Sequence, residues 1–271
     1  GTVPAGYNFN VQNNFTITAG SVFNKILGNA PVYVGGNIIN NGTLNMPRGG
    51  NLYLGNIING ALTPSSIPQT ISGSGTYLAN EYNLNGNNLY NAHSVGSLTV
   101  NNTSAAGVTI GVPNFRVNGL SLTNGIVHTT ATNTIYCGAP DVLNTSSTNG
   151  TFGFSTNVVG SATCHIDGPI VHSNKADASI TQNRLFPVGK NGKYLPISVA
   201  STGGVELMVE AFDTNTGTTS ANASNMSANR WKVTRVGTAG AFTGYNVRLG
   251  SLDNPVTPSN LIVHAATDSG V

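Results

Sequence analysis

The sequence predicts an all-β chain: a parallel β-helix over residues 1–164, followed by an antiparallel β-sandwich over residues 165–271. Three observations predict it. Apolar residues alternate with polar ones in short stretches, and no stretch keeps a 3.6-residue period, so strands are expected and helices are not. Similar motifs recur about 20 residues apart, the length of one solenoid coil. Charge is nearly absent from the first part: of 20 charged residues only Lys25, Arg48, Glu81, Arg116 and Asp141 precede residue 165.

The repeats come first along the chain. Gly36-Asn37-Ile38-Ile39-Asn40 returns as Gly55-Asn56-Ile57-Ile58-Asn59, and Val32-Tyr33-Val34 is matched by Leu52-Tyr53-Leu54. Leu98-Thr99-Val100-Asn101-Asn102 is echoed by Leu120-Ser121-Leu122-Thr123-Asn124. Short strands are expected at 15–17, 33–36, 52–54, 97–100, 108–110, 115–117 and 120–122. Asn-Gly occurs seven times, at Asn41, Asn59, Asn85, Asn118, Asn124, Asn149 and Asn191, and both residues tolerate positive φ. Such pairs also suit two-residue hairpins, so a hairpin meander is the alternative. The repeat spacing favours the β-helix. In that fold Val, Ile, Leu and Phe fill the bore and Asn stacks at the turns. Like charges stacked about 4.8 Å apart would repel, which accounts for the missing ions. From residue 165 the strands expected are 168–172, 195–200, 205–212, 230–236, 245–249 and 261–265, with turns at Lys190-Asn191-Gly192-Lys193 and Asp253-Asn254-Pro255.

Composition excludes several classes. A net charge of +2 over 271 residues gives no cationic field for nucleic acid. Charged residues are 7%, too few for a coiled coil, and 39% hydrophobic residues argue against charge-driven disorder. The long uncharged stretch at 49–80 is broken by Gly, Asn, Ser and Pro, so no membrane-spanning helix is expected. The sequence opens at Gly1 without a basic-then-apolar leader, and Val271 follows no clear final element. A signal peptide is therefore expected to have been removed or to lie outside this sequence, and the chain to be part of something longer.

Two passages together resemble a known group. One runs Gln69-Thr70-Ile71-Ser72-Gly73-Ser74-Gly75-Thr76, then Gly107-Val108-Thr109-Ile110 and Thr123-Asn124-Gly125-Ile126-Val127. The other runs Ile166-Asp167-Gly168-Pro169-Ile170, then Leu185-Phe186-Pro187-Val188-Gly189-Lys190-Asn191-Gly192-Lys193-Tyr194-Leu195-Pro196-Ile197. This order resembles large secreted, adhesin-like surface proteins of Bacteroidetes bacteria, many of them exported by the type IX secretion system. The resemblance covers about residues 30–200, and Phe186–Ile197 is its most specific part. It implies an extracellular or cell-surface location and a β-helix followed by a sandwich-like module. The sorting domain such proteins carry at the C-terminus is not visible here.

The chemistry-bearing residues are sparse. Cys137 and Cys164 are a disulfide candidate closing a loop of 26 intervening residues, worth roughly 3 kcal/mol. The alternative is two separate buried thiols. No CxxC occurs, and His165 directly follows Cys164, so no metal site is expected. Glu81 and Asp141, the only carboxylates of the first part, lie 60 residues apart, so catalysis is not expected. Glu206 and Glu210 share one strand face, read as solvated. Asp213-Thr214-Asn215-Thr216-Gly217 resembles the start of a calcium loop, but position 12 would be Ser224, and an ordinary Asx turn is favoured. No cofactor is expected, calcium at this loop being the one the sequence allows. His93, His128, His165, His172 and His264 are scattered, with His165 and His172 expected on opposite sides of a strand in surface or satisfied structural roles. Trp231 is a candidate glycan-stacking residue, with a core anchor favoured. Tyr33, Tyr53, Tyr77, Tyr82 and Tyr90 read as turn and rim residues.

Two functions follow as expectations. The first is a non-enzymatic extracellular structural or adhesion protein, either an adhesin stalk or the subunit of a self-assembling filament. Its partners are further copies or neighbouring surface proteins, and Val3, Tyr7, Phe9 and Val11 form a candidate segment for strand donation to a neighbour. The alternative is a carbohydrate-binding module of a secreted protein, acting on glycans through Trp231 and nearby Arg and Lys. Neither involves nucleic acid or membrane insertion.

Overall fold

The structure, a computed structural model, describes residues 2–3, 8–25, 31–46, 50–58, 61–78, 94–138, 158–173, 181–202, 206–214, 227–236 and 245–249. The chain is all-β, with no helix among the described residues. The first strands are β1 (Thr2–Val3), β2 (Phe9–Val11), β3 (Phe15–Ile17) and β4 (Val22–Lys25). Next come β5 (Val32–Val34), β6 (Ile38–Asn40), β7 (Thr43–Asn45), β8 (Asn51–Leu54), β9 (Asn56–Ile58), β10 (Ala61–Thr63), β11 (Gln69–Ser72) and β12 (Thr76–Leu78). They are followed by β13 (Ser94–Asn101), β14 (Val108–Ile110), β15 (Phe115–Asn124), β16 (Val127–His128), β17 (Ile135–Cys137), β18 (Ile166–Asp167) and β19 (Ile170–Ser173). The last are β20 (Thr181–Phe186), β21 (Val188–Lys190), β22 (Lys193–Tyr194), β23 (Ile197–Thr202), β24 (Glu206–Phe212), β25 (Arg230–Val236) and β26 (Tyr245–Leu249).

The chain visits its sheets in rotation. A nine-stranded sheet runs β2-β5-β8-β13-β15-β17-β19-β24-β25, and an eight-stranded one runs β22-β21-β18-β16-β14-β11-β6-β3. A four-stranded sheet, β1-β4-β7-β12, takes every third strand of the first circuits once the separate pair β9 and β10 is set aside. Pairing is parallel from β2 to β19 in the first sheet, from β3 to β21 in the second, and throughout the third. Among the described residues, no sheet closes into a barrel.

Alternation decides which side chains meet. Tyr33 lies opposite Tyr53, Val32 opposite Leu52 and Val34 opposite Leu54. Leu52 then faces Leu98, which faces Leu120. These aliphatic columns are buried, whereas Tyr33 and Tyr53 stack outside with centroids 4.9 Å apart. In the eight-stranded sheet Ile38, Ile71 and Ile110 form a second inward column. Asparagines link successive circuits. The Asn37 N–H donates to Asn14 Oδ1 (2.9 Å), and the Thr70 N–H donates to Asn37 Oδ1 (2.8 Å). Asn45 Nδ2 donates to Asn24 Oδ1 (2.8 Å), and Asn124 Nδ2 donates to Asn101 Oδ1 (2.7 Å). Inside, Gln69 Nε2 donates to the carbonyls of Val34 (2.9 Å) and Gly36 (2.8 Å), and its Oε1 accepts from Asn102 Nδ2 (2.9 Å). Paired in this way, the buried Gln69 amide does not carry the penalty of an unmet polar group. Gly73 sits at φ +107° where a Cβ would collide with the Asn40 carbonyl, so only glycine fits this close approach.

Three expectations are corrected. The second copy of the Gly-Asn-Ile-Ile-Asn repeat does not enter the parallel ladder. Its strand β9 folds back on β10 as an antiparallel hairpin, and β11 takes the place beside β6. Asn118-Gly119 is not a turn, because β15 runs straight through it, paired with β13. The step in charge at residue 165 does not coincide with the change in pairing. Both large sheets cross it, and within these two sheets antiparallel pairing begins only where β24 meets β19 and β22 meets β21. Of the antiparallel strands, β24 and β25 extend the nine-stranded sheet, while β20-β23-β26 form a separate sheet. Phe186, Ile197 and Val199 share one core with Leu207, Val209 and Ala211. The strand expected at 261–265 lies outside the described residues.

Candidate functional site

Two ends of the sheets and one charged clasp gather the features able to contact other molecules. At the first end, β1, β2 and β3 are the terminal strands of three sheets. Phe9, Phe15 and Phe23 come one from each sheet and meet there, with centroids 4.9–5.7 Å apart. Phe15 and Phe23 keep 7% and 8% exposure where the next circuit's Ile38 and Leu44 have 0%, so this triad is the outermost layer of the core. The strands expected to be donated to a neighbour are instead paired within the chain. Val3 lies in β1, which pairs with β4, and Phe9 and Val11 lie in β2, which pairs with β5. Tyr7 is outside the described residues. What this end offers is therefore an acceptor edge.

The other end of the nine-stranded sheet is β25, which carries Arg230, Lys232 and Arg235, the kind of cationic edge that discourages strand addition. Beside it, the hairpin of β21 and β22 turns through Asn191 (φ 49°) and Gly192 (φ 78°), as the Asn-Gly pair predicts. Asp167 clasps this turn: Lys190 Nζ donates to its Oδ1 (3.0 Å) and the Asn191 N–H to its Oδ2 (3.2 Å). Asn191 Nδ2 donates to Asp213 Oδ2 (3.0 Å). The most distinctive segment of the sequence thus makes a structural joint. Glu206 and Glu210 do not act as a pair. Arg116 Nη1 binds Glu206 Oε1 at 2.9 Å while its guanidinium lies over Tyr136, and Glu210 faces Lys232 across the strands. Burial pushes the Glu210 carboxyl above its usual range, against the pull of Lys190, Lys232 and Arg230. Asp213 bonds Asn191, and most of the calcium-like loop lies outside the described residues.

The cysteines are separate free thiols, which corrects the expected cross-link. Cys137 lies opposite Val117 on β15, whereas Cys164 Sγ donates to the carbonyl of Leu122 (3.4 Å), five residues further along that strand. Five strand residues span roughly 16 Å, well beyond disulfide reach. Burial raises the Cys137 thiol pKa. His165 and His172, expected in surface or satisfied structural roles, are buried at 0% and 1% exposure, and neither ring is fully satisfied. Both ring nitrogens of His172 lack a partner, and its ring meets Phe186 edge-on at 4.9 Å. Burial, with Arg184 nearby, pulls the His172 pKa down to about 3. His165 Nδ1 lies 3.2 Å from the Ser161 carbonyl, Nε2 is unpartnered, and burial lowers its pKa too. No sequence signal separated these two histidines from His128. Trp231 packs against the core and its Nε1–H donates to the Leu195 carbonyl (2.8 Å), an anchoring role that ties down the indole edge. Tyr77, expected at the rim, is fully buried against Phe115. Tyr82, Tyr90, His93 and His264 lie outside the described residues.

Among the described residues, no three His, Cys, Asp or Glu side chains come together to hold a metal. Comparison with family models, curated proteins and solved structures gives no match.

Proposed function

We propose that this chain is a non-enzymatic extracellular structural or adhesion protein, a surface stalk or a filament subunit. On this reading the parallel strands through β19 and β21 form a β-helix, and the antiparallel strands packed beyond them a sandwich-like module. One observation carries it: the chain returns to the same sheets in turn, three of them up to β12 and two from β13 to β19, with parallel in-register strands and Asn-to-backbone links between successive passes. Such an arrangement makes a rigid rod, and its ends are where copies meet. Four of the described ionic groups are tied up in structural pairs, Arg116 with Glu206 and Lys190 with Asp167, which suits a scaffold. Secretion rests on the resemblance of the Phe186–Ile197 segment to exported surface proteins. The test is electron microscopy of concentrated purified protein together with sedimentation. Rods or filaments are expected, and a strictly monomeric protein without filaments refutes the assembly.

A further inference from the structure

The hairpin of β9 and β10 is an arm outside the parallel ladders, and its sequence is informative. Gly55-Asn56-Ile57-Ile58-Asn59 repeats Gly36-Asn37-Ile38-Ile39-Asn40 residue for residue, and the earlier copy contains β6. β6 lies between β3 and β11, parallel to both, with Ile38 opposite Phe15. This pentapeptide is therefore already seen pairing with Phe15-Thr16-Ile17.

β3 uses one edge for that pairing. The Phe15 N–H donates to the Asn37 carbonyl (2.8 Å), and the Ile17 carbonyl accepts from the Asn41 N–H (2.8 Å). Successive residues of a strand aim their backbone groups at opposite edges, so Thr16 presents its N–H and C=O to the outer side, where β3 ends its sheet. The arm has a matching deficiency. Among the described residues β9 pairs with β10 on one side only, Ile58 and Leu62 are 56% and 39% exposed, and two strands alone make a marginal sheet. No charge occurs in residues 49–80 or 1–24, so arm and edge meet without ionic desolvation.

We infer that the arm of one copy adds to the outer edge of β3 in a second copy, with β9 as the new strand. This rests on the self-associating reading above and names its contact. In the register used by β6, Ile57 takes the place opposite Phe15 and covers the phenylalanine triad. The contact is heterologous: a copy that lends its arm keeps an open edge, so assembly propagates.

Sedimentation velocity on the full chain tests this with three variants. Ile57→Lys puts a charge at the inward position of the arm. Thr16→Pro removes the outer donor of β3 while sparing the bonds of Phe15 and Ile17 to β6. Asn10→Pro is the control on β2, whose ladder bonds to the next circuit likewise come from Phe9 and Val11. Wild type and Asn10→Pro are expected to associate, and Ile57→Lys and Thr16→Pro to associate at least tenfold more weakly. Mixed, the last two should form a 1:1 dimer, one supplying the edge and the other the arm. Should Thr16→Pro lose its native circular dichroism, Ile57→Lys added to wild type still reads the contact, because it ends chains and shortens assemblies. If Ile57→Lys associates like wild type, or fails to shorten assemblies, the inference falls while self-association stands. If wild type is monomeric at every concentration, both fall.

Discussion

His172 shows how much a single position depends on its surroundings. Its imidazole is closed inside the sheets with neither nitrogen bonded, so the charged form is strongly disfavoured. The folded pKa of about 3 lies below the ordinary 6.5, so the unfolded chain binds the proton more readily. Stability is then full above about pH 6.5 and falls as pH drops toward 3, by up to ~1.4 kcal/mol per pH unit from this group. His165 shifts in the same direction and adds to the slope. Urea unfolding at pH 7 and at pH 4.5 should show wild type losing about 2–3 kcal/mol through His172, with His172→Leu losing that much less. Equal losses in both proteins would show that His172 is not the group concerned. Gln69 is the contrasting residue. Its buried amide meets two carbonyls and Asn102, and so ties two circuits together without penalty.

At the scale of the element, the same pentapeptide folds in two ways because edges are contested. Beside β6, β11 brings Ile71 inward, the Gln69 amide onto the Val34 and Gly36 carbonyls and Ser72 Oγ onto the Ile38 carbonyl. With that place taken, β9 pairs antiparallel with β10 instead. The hairpin of β21 and β22 is the opposite case, a turn set by its own two residues. Asn191 holds φ 49°, where a Cβ-bearing residue without a local hydrogen-bonding side chain is strained. Asn191→Ala should cost about 1–2 kcal/mol and Asn191→Gly no more than ~0.5 kcal/mol. Denaturant titrations followed by the fluorescence of Trp231, bonded to Leu195 just after the hairpin, measure both. Equal losses would place the effect in the Asn191–Asp213 hydrogen bond instead.

For the molecule as a whole, parallel stacking and scarce charge are one property. Where strands pair in parallel and in register, outward columns repeat a residue type every ~4.8 Å, a spacing that Asn and Tyr ladders exploit and like charges do not tolerate. The two described ion pairs are partly exposed and worth at most ~1 kcal/mol each. Thermal stability should therefore be nearly independent of salt, with Tm moving by no more than ~4 °C between low-salt buffer and ~1 M NaCl. A larger shift would mean that the charged clasp contributes more than its exposure implies.

Much of this was legible in the residues themselves. Period-2 alternation marks the strands and their inward faces, the Val-Tyr-Val and Leu-Tyr-Leu copies stack in the register their spacing predicts, and Asn191-Gly192 turns where it should. The arm had its own signal, an Asn-Gly pair between apolar runs, outweighed by the repeat spacing. Other features were settled only by the tertiary structure: the place of β11 beside β6, the distance between Cys137 and Cys164, the burial of His165 and His172, and the point where pairing turns antiparallel. Alternation is local and says which face a side chain takes. Which strand lies beside another depends on competition between segments distant in the chain for the same backbone edge.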